Sequence, residues 1–400
     1  KKETTINYSA NWLMSIIVKK ENPFVEGINL NQIVKKFDTP FYVYSQKSII
    51  ESYRKLKSSL NSEIFFSIKA NSNLAILTLI KSLGSGADVV SNGELLRALS
   101  AGFPVSKIIY EGVGKTKSDL KFAIKKNIRQ INVESIEELR LINSLGQFMK
   151  KKVKIGIRIN PNIDGNTIDK ISTGRKTDKF GISFNKLNKI SLELKKLKYV
   201  NLKGISCHVG SQIYDTKIFN KVFIKMKKAS DLLEKKGFAL ENLDLGGGFG
   251  ISYNGEKEID LKKLSNIKDK IFKNKNYNIS FEPGRYLVAK SGTLITKILT
   301  CKKNSTINYL ITDAGMHTFL RPAMYKSIHR ILPFKKRGIK ETYTIAGPIC
   351  ESSDILAKNI RLPKQKSGNY LAICDTGAYG FVMASNYNSH ALPSEILIFK

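Results

Sequence analysis

Acidic residues are scarce in this chain of 400 residues, where 33 aspartates and glutamates face 67 lysines and arginines and the formal net charge is +34. Such an excess ordinarily suggests a nucleic acid or an anionic membrane as partner. Arginine, which reads bases and phosphates through its planar fork, accounts for 11 of the 67 and leaves 56 lysines (67 − 11). The lysines are scattered among asparagine and isoleucine, and the sequence contains no recognisable nucleic-acid motif. We therefore predict a solvated basic surface and no nucleic-acid partner.

Cysteine is also rare, and the sequence has no long apolar run near its start. The four cysteines are Cys207, Cys301, Cys350 and Cys374, and no two of them form a C-x-x-C pair. A chain of this length can build a core without disulfides, so we expect a reduced, cytoplasmic compartment. The apolar run "WLMSIIV" at 12–18 is too short to span a membrane and lacks a convincing cleavage site, so no membrane partner is expected.

Eight short runs rich in β-branched or aromatic residues alternate with amphipathic, helix-like stretches. The runs lie at 64–68, 87–91, 107–112, 130–134, 153–160, 203–209, 242–247 and 278–284. One helix-like stretch opens on Ser135 with Glu138 three residues later, which is the pattern of a capping box. Eight such units predict an α/β fold, a (β/α)8 TIM barrel. An open doubly wound sheet has the same local pattern and remains the alternative.

The sequence pattern changes after about residue 300, where the helical periodicity of apolar residues is lost. Short strand-like segments such as "ETYTIAG" and "SEILIF" are joined there by glycine and proline turns. This pattern predicts a C-terminal all-β domain, Greek-key or sandwich-like, and the segment "TPFYVYS" at 39–45 could join it. We therefore expect a barrel at 46–300 and a β domain built from 1–45 and 301–400.

Polar groups stand at the ends of several predicted barrel strands. Lys69 follows the first strand, His208 ends the sixth, "GGGFG" (246–250) follows the seventh and "EPGR" (282–285) ends the eighth. Active sites of such barrels lie at the C-terminal ends of the strands, and phosphate sites commonly follow strands 7 and 8. A glycine run there lets backbone N–H groups approach an anion closely. One mouth of the barrel would thus hold a lysine, a histidine, a phosphate cradle, a carboxylate and an arginine.

Each of these groups has an ordinary explanation when taken alone. Lys69 could be a solvated strand end, His208 a core histidine, the glycines a turn, and Glu282 with Arg285 a surface ion pair. Together they suit pyridoxal 5′-phosphate (PLP), because a lysine amine forms a Schiff base with its aldehyde and a carboxylate keeps its ring nitrogen protonated. We therefore hypothesise that Lys69 binds PLP and that the His208 imidazole stacks on its ring.

The chain resembles a known family over nearly its whole length. The stretches that carry the resemblance are "FFSIKAN", "GADVVSNGELLRAL", "SCHVGSQI", "DLGGGFGI", "EPGR", "DAGMHTFLRPAMY", "AGPICESSD" and "DTGAYG". They are similar to those of the barrel-type PLP-dependent decarboxylases, which have an alanine racemase-like fold, and most closely to the members that act on diaminopimelate. The first five are shared with ornithine and arginine decarboxylases, whereas "LRPAMY" and "AGPICESSD" discriminate.

The resemblance implies a set of cofactor-binding residues. PLP would be bound by Lys69, its ring by His208 and Glu282, and Tyr379 would lie near both cofactor and substrate. The phosphate would contact Ser211, Gly246, Gly247 and Gly248, with the Gly284–Arg285 turn nearby. No metal site is implied.

The resemblance also implies the reaction, which is decarboxylation of meso-2,6-diaminopimelate to L-lysine and CO2, the last step of lysine biosynthesis. The substrate carboxylate that is kept would be held by Arg285, Arg321 and Tyr325, and the distal ammonium by Glu351. Cys350 would enter the active site of the partner subunit and help to protonate the product, with Lys69 as the other candidate. A homodimer with shared active sites, built with contacts from the β domain, is thus expected.

Some positions depart from the family pattern, and other functions stay open. Asn92, His317, Thr318 and His390 stand where the family usually has other residues. The polar stretch at 170–181 is either a lid or a plain loop. The alternative enzyme would decarboxylate ornithine, arginine or carboxynorspermidine, and replacement of Arg321 should then leave its activity largely intact. A PLP-binding protein without catalysis is the alternative outside enzymes, although it would have no need of "AGPICESSD".

Overall fold

The computed structural model describes residues 16–19, 22–165, 171, 173–253, 255–334 and 337–399. Its strands are β1 Ile16–Lys19, β2 Asn22–Val25, β3 Ile28–Asn29, β4 Phe41–Ser45, β5 Glu63–Ser67, β6 Gly86–Val89, β7 Ile108–Tyr110, β8 Gln130–Val133, β9 Val153–Asn160, β10 Ile182–Ser183, β11 Val200–Ser206, β12 Asn242–Asp244, β13 Asn278–Phe281, β14 Gly292–Asn304, β15 Ile307–Thr312, β16 Ile331–Pro333, β17 Lys340–Ala346, β18 Ile355–Pro363, β19 Tyr370–Cys374 and β20 Ser394–Ile398. Its α-helices are α1 Leu30–Ile33, α2 Gln46–Leu60, α3 Leu74–Ser82, α4 Asn92–Ser100, α5 Lys117–Lys126, α6 Ile136–Phe148, α7 Leu187–Leu194, α8 Thr216–Lys235, α9 Leu261–Phe272, α10 Arg285–Val288 and α11 Arg321–Tyr325.

Eight parallel strands of the described chain close into a barrel. Their order around the ring is β5, β6, β7, β8, β9, β11, β12 and β13, and the short β10 pairs with β9 beside the ring. The ring closes where β13 returns to β5, with Ser280 opposite Glu63 and Phe281 opposite Ile64. The TIM barrel prediction is therefore confirmed, and the open sheet is excluded. All eight strands lie at the expected places, but most end two or three residues before the predicted limit.

Helices α2 to α9 surround the barrel, and each buries apolar residues on one side. Helix α8 shows why the sequence folds this way, since Phe219, Val222, Phe223 and Met226 recur at helical spacing and are all buried. At the start of α6 the Ser135 side chain accepts a hydrogen bond from the Glu138 amide, but the Glu138 carboxylate accepts from the Glu134 amide, so only the N-cap half of the predicted capping box forms. None of the helices in the described segments combines the length and hydropathy needed to cross a bilayer.

The second domain is an all-β sheet assembled around the long strand β14. Strand β14 pairs antiparallel with β4, β15 and β19, and β4 also pairs in parallel with β20. The N-terminal segment Phe41–Ser45 thus lies in the same sheet as the C-terminal strands. Strand β14 begins at Gly292 and crosses position 300, where the sequence predicts the boundary. Residues 1–15 of the predicted β domain lie outside the described residues.

An aromatic cluster fills the space between α8, α9 and the barrel wall. Phe223 is fully buried, and its ring centroid lies 6.1 Å from that of Phe219 and 6.3 Å from those of Phe272 and Phe281. Phe281 is the last residue of β13 and precedes the "EPGR" stretch directly. The packing of α8 therefore supports the strand that carries a predicted site residue.

We expect Phe223→Ala to lower the free energy of unfolding by about 3–5 kcal/mol, because it removes a buried ring and leaves a cavity among three other rings. The neighbouring Ile224 is 42% exposed on the same helix and provides the control. Ile224→Ala should cost less than about 1 kcal/mol. Denaturant unfolding followed by circular dichroism measures both, and equal losses would show that the aromatic cluster is not the main support of α8.

Candidate active site

Lys69 lies at the C-terminal mouth of the barrel, in a single 3-10 turn, Ile68–Ala70, that follows strand β5 directly. Its ammonium donates to the Asp88 carboxylate on the neighbouring strand β6 at 2.9 Å, and the Ser67 hydroxyl donates to the same oxygen at 2.8 Å. Burial lowers the pKa of Lys69, but the negative charge of Asp88, with which it forms an ion pair, acts against burial, and the pKa is raised overall. Lys69 is therefore held as a fixed cation at the rim of the cavity.

The glycine run after β12 forms a close-packed backbone cradle. Gly246 and Gly248 have positive φ values of 72° and 86°. A Cβ atom on Gly248 would collide with the Gly210 carbonyl, so no larger residue fits there. The Gly246 amide donates to the Asp244 carboxylate at 2.8 Å and the Gly247 amide donates to His208 Nδ1 at 3.2 Å. Two of the three glycine amides predicted to contact the phosphate thus already bond within the protein, and Gly248 is the one of the three that lines the cavity.

His208 lies two residues beyond β11 and borders the same cavity. Burial, followed by the charges of Lys69 and Arg158, lowers the pKa of His208 well below its usual value, so the ring is neutral. Since Nδ1 accepts the Gly247 hydrogen bond, the ring proton resides on Nε2. A neutral ring with a fixed tautomer is suited to packing on an aromatic cofactor.

Glu282 follows β13 and is 5% exposed. Its Oε1 atom has no hydrogen-bond partner within the described segments, which is unusual for a buried carboxylate. Burial, and then the neighbouring Asp244 and Asp88, raise the pKa of Glu282 well above its usual value. The carboxyl group is thus ready to pair with a basic nitrogen that enters the cavity.

Arg285 connects the eighth strand to the far wall of the cavity. Its Nε donates to the Ser211 hydroxyl and its Nη1 to the Tyr253 hydroxyl, both at 3.1 Å. The guanidinium carbon lies 4.8 Å from the centroid of the Tyr379 ring. Tyr379 comes from the β domain, and its backbone amide donates to the carbonyl of Ala70 at 2.8 Å, which ties it to the turn that carries Lys69.

Helix α11 places Arg321 and Tyr325 next to Tyr253, the partner of Arg285, although neither is among the described residues that line the cavity around Lys69. Arg321 is 6% exposed, with its guanidinium carbon 5.4 Å from the Tyr325 ring and 5.8 Å from the Tyr253 ring. Its Nε finds no partner in the part of the chain that the structure describes. Burial lowers the pKa of Arg321 from its usual value, and the charge of Arg285 adds to that effect. Two buried guanidiniums close to one another make a site for an anion such as a carboxylate.

Cys350 and Glu351 lie elsewhere. Both are exposed, and neither is among the described residues that line the cavity around Lys69. Glu351 accepts a hydrogen bond of 2.5 Å from the Tyr387 hydroxyl on the surface. A single chain therefore does not bring these two predicted site residues together with the others.

A layer of buried charged residues lies beneath the cavity, and it was not predicted from the sequence. Arg158 on β9 donates to Glu134 at 2.9 Å and lies 3.5 Å from Glu111. Asp88 and Asp244 are likewise buried, each with an immediate role in holding Lys69 or the glycine cradle. The available signal is a lone charged residue inside an apolar strand, as in "ADVVS", "KIIYEG" and "NLDLGG". Such a residue is expensive to bury unless it is paired.

The unusual positions and the polar loop have clear locations. His317 is buried, and its ring centroid lies 4.6 Å from that of His390. Thr318 is buried, and Asn92 opens helix α4.

In the described part of the 170–181 stretch, the Thr173 hydroxyl donates to the His208 carbonyl at 2.9 Å. This contact places the loop beside the cavity, and the lid remains a prediction.

The residues around the cavity fit PLP. The cavity is lined by Lys69, His208, Ser211, Gly248, Glu282 and Gly284, together with Arg285 and Tyr379. An unpaired buried carboxyl oxygen on Glu282 suits a ring nitrogen, and a cradle closed to any Cβ atom at Gly248 suits a phosphate. A lysine amine completes the set of groups that PLP requires.

We expect Gly248→Ala to weaken PLP binding by at least about tenfold, because the added methyl group must displace the cradle backbone. Gly255→Ala is a matched control, since Gly255 has the same φ of 86° but nothing within 4 Å of where a Cβ atom would stand. Titration with PLP, followed by absorbance, compares the two dissociation constants. Equal affinities would exclude the close approach at Gly248 as a requirement for the cofactor.

The chain matches the family model described as "Pyridoxal-dependent decarboxylase, pyridoxal binding domain" over residues 46–289. It is 37% identical to the diaminopimelate decarboxylase of Aquifex aeolicus over 94% of this chain and 90% of that protein. It is 38% identical to the diaminopimelate decarboxylase of Methanocaldococcus jannaschii over 96% of this chain and 92% of that protein.

A solved structure gives the same result. The diaminopimelate decarboxylase of Helicobacter pylori complexed with L-lysine superposes with a TM-score of 0.90 at 38% identity, covering 93% of this chain and 94% of that chain. Similarity of this extent includes both the barrel and the β domain. The chain therefore belongs to the pyridoxal-dependent decarboxylases and, among them, to the diaminopimelate decarboxylase family.

Proposed function

We propose that this chain decarboxylates meso-2,6-diaminopimelate to L-lysine and CO2 with PLP as its cofactor, the last step of lysine biosynthesis. The observation that carries the proposal is the pair of buried guanidiniums of Arg285, which lines the lysine-bearing cavity, and Arg321, which both contact Tyr253. A decarboxylase acting on a simple diamine precursor has no second carboxylate to hold. The family membership and the L-lysine complex of the Helicobacter pylori relative support the same substrate.

We assign the cofactor contacts to five groups. Lys69 would hold PLP covalently, Glu282 would keep its ring nitrogen protonated, and His208 would pack on its ring. Ser211 and the Gly248 amide would bind the phosphate, with Gly284 and Arg285 beside them. PLP, when bound, supplies a carbonyl that captures the substrate amine and a ring that takes up the electron pair left by CO2.

The charge state of Glu282 is central to this assignment. The carboxyl group has a raised pKa because it is buried near other acids, and its unpaired Oε1 faces a site of low polarity. A protonated ring nitrogen beside it would supply the missing positive partner and favour the carboxylate form. Glu282 would thereby keep a proton on the ring nitrogen while negative charge develops.

The substrate would be oriented by its two different ends. Arg285, Arg321 and Tyr325 would hold the carboxylate that is kept, which leaves the other amino-acid end near Lys69. Glu351 would take the distal ammonium. The proton that replaces CO2 would come from Cys350 or from Lys69.

We further propose a homodimer in which Cys350 and Glu351 of one subunit complete the site of the other. The support is their position, since both are exposed in the single chain and lie outside the cavity lining that the structure describes. Exposed Tyr387 and Met324 lie in the same domain and could be covered by a second copy. A site shared in this way requires a twofold assembly.

The domain division and the compartment also remain proposals. We assign residues 46–300 to the PLP-binding barrel, and 1–45 with 301–400 to the β domain that provides substrate and dimer contacts. The presence of four free cysteines supports a reducing, cytoplasmic location.

With PLP and meso-diaminopimelate, the wild-type protein should release L-lysine and CO2. Lys69→Ala should reduce the rate by at least about a thousandfold, because the amine that holds the cofactor is removed. Lys47→Ala, a change at a side chain 74% exposed, is the control and should leave the rate unchanged. Lysine is measured by chromatography, and the visible absorbance of the lysine-bound cofactor is recorded in parallel. A wild-type protein with that absorbance but no lysine product would exclude this substrate, and ornithine and carboxynorspermidine would be tested next.

Mixing two inactive variants tests the shared site. Lys69→Ala and Glu351→Ala carry their defects on different subunits of a mixed site, so random reassociation should restore about a quarter of the wild-type activity. Lys69→Ala mixed with Arg321→Ala is the control, because both defects affect the same subunit's cavity and no intact site can form. Activity restored in neither mixture, despite subunit exchange shown by mass spectrometry, would contradict the shared site.

A further inference from the structure

Tyr253 lies where the two arginines meet. It follows the glycine run by three residues, and its hydroxyl accepts the hydrogen bond from Arg285 Nη1 at 3.1 Å. The face of its ring is 5.8 Å from the guanidinium carbon of Arg321. One side chain thus contacts both cations, through its oxygen on one side and its π-system on the other.

The two guanidiniums need such a contact because they are like charges in a site of low polarity. Arg285 and Arg321 are each 6% exposed, so water screens their repulsion poorly. Arg285 has further partners in Ser211 and the Tyr379 ring. The Nε of Arg321 is without a partner among the residues described, so Arg321 depends on Tyr253 and Tyr325 for its position.

His329 packs against the Tyr253 ring. The two ring centroids are 5.0 Å apart in an edge-on arrangement, and His329 in turn packs edge-on against Phe319 at 4.7 Å. The Cys374 carbonyl lies 3.0 Å from His329 Nδ1 and can only accept, so Nδ1 carries the proton. Burial, followed by the charge of Arg321, lowers the pKa of His329 to about 3. His329 therefore stays neutral and adds no positive charge to those of the arginines and of Lys290, whose ammonium lies 5.9 Å from the Tyr253 ring centroid and 3.6 Å from Asp375.

We propose that Tyr253 is a positioning residue for substrate selection, which holds Arg285 and Arg321 at the spacing that one carboxylate can bridge. The inference rests on the proposed function, in which these arginines bind the carboxylate that is kept. With Nε and one Nη1 hydrogen of Arg285 directed to Ser211 and Tyr253, its remaining N–H groups are free to face the ligand. Tyr253 thereby makes the site selective for ligands that have a carboxylate at the far end.

The test compares L-lysine with cadaverine, the diamine that lacks the carboxylate, on the PLP-loaded enzyme. Wild type should bind L-lysine at least about tenfold more tightly than cadaverine, as followed by cofactor absorbance. Tyr253→Leu removes both the hydroxyl and the ring face. It should lower the affinity for L-lysine about tenfold and leave that for cadaverine within about twofold, with KM for diaminopimelate raised more than kcat is lowered.

Tyr253→Phe is a milder variant that keeps the ring packed on His329. It should weaken L-lysine binding about threefold, through loss of the Arg285 hydrogen bond, and leave cadaverine unaffected. Tyr277→Phe is the control, since the Tyr277 hydroxyl donates to Glu234 far from the arginines, at 2.5 Å. It should change neither affinity.

The possible outcomes distinguish a failure of the Tyr253 role from a failure of the carboxylate assignment. If Tyr253→Leu is unstable, a selective loss of L-lysine binding in Tyr253→Phe still supports the role. Equal losses for both ligands, or an unchanged preference in both folded variants, would overturn it. A wild-type enzyme without any preference for L-lysine would instead overturn the carboxylate assignment under the proposed function, and the positioning role with it.

Discussion

The active site depends on an electrostatic constraint, which is that the barrel interior beneath the cavity holds more acids than bases. Among the described residues, Asp88, Glu111, Glu134, Asp244 and Glu282 are all buried there, and the cations near them are Lys69, Arg158 and Lys115, of which Lys115 pairs with a further acid, Glu138. Isolated charges in such a place would be costly, so each is paired, hydrogen-bonded or shifted toward its neutral form. The pKa of Asp244, for instance, is raised to about 7 by its burial among these other acidic groups. A cofactor with a basic ring nitrogen enters an environment already rich in negative partners.

The same constraint explains how the functional groups are oriented. Asp88 fixes Lys69, Asp244 fixes the Gly246 amide, and the Gly247 amide fixes the tautomer of His208. None of these supporting bonds involves a flexible surface side chain. The geometry at the mouth is therefore determined by the strands beneath it, and little reorganisation should be needed when ligands bind.

The barrel and the β domain could be predicted from the sequence because their signals are local, and so could the meeting of Lys69, Glu282 and Arg285 at one mouth of the barrel, whereas the roles of these residues remain predictions. Lys69 and Glu282 stand directly after apolar strands, and alternating strand and helix patterns give the order of the elements. The strand ends were predicted too far along, since "DLGGG" continues an extended pattern although Gly246 and Gly248 adopt positive φ values. Asp88 and Asp244 could be recognised as acids inside apolar strands, but their partners could not, because these lie on other elements. Tyr253 lies in a loop and carries no such signal. The assignments of Cys350 and Glu351 came from family resemblance, and one chain alone does not assemble them with Lys69.

Two hydrogen bonds to the β domain hold the chain at the turn that carries Lys69. The Ala70 carbonyl accepts from the Tyr379 amide, and the Asn71 side chain donates to the Gly377 carbonyl at 3.0 Å. Both partners belong to "DTGAYG", some three hundred residues later in the chain. The barrel is consequently not an interchangeable module. A chimaera that combines the barrel of one decarboxylase with the β domain of another would therefore need to keep Asn71 and the backbone path of "DTGAYG" together for the Lys69 turn to stay in place.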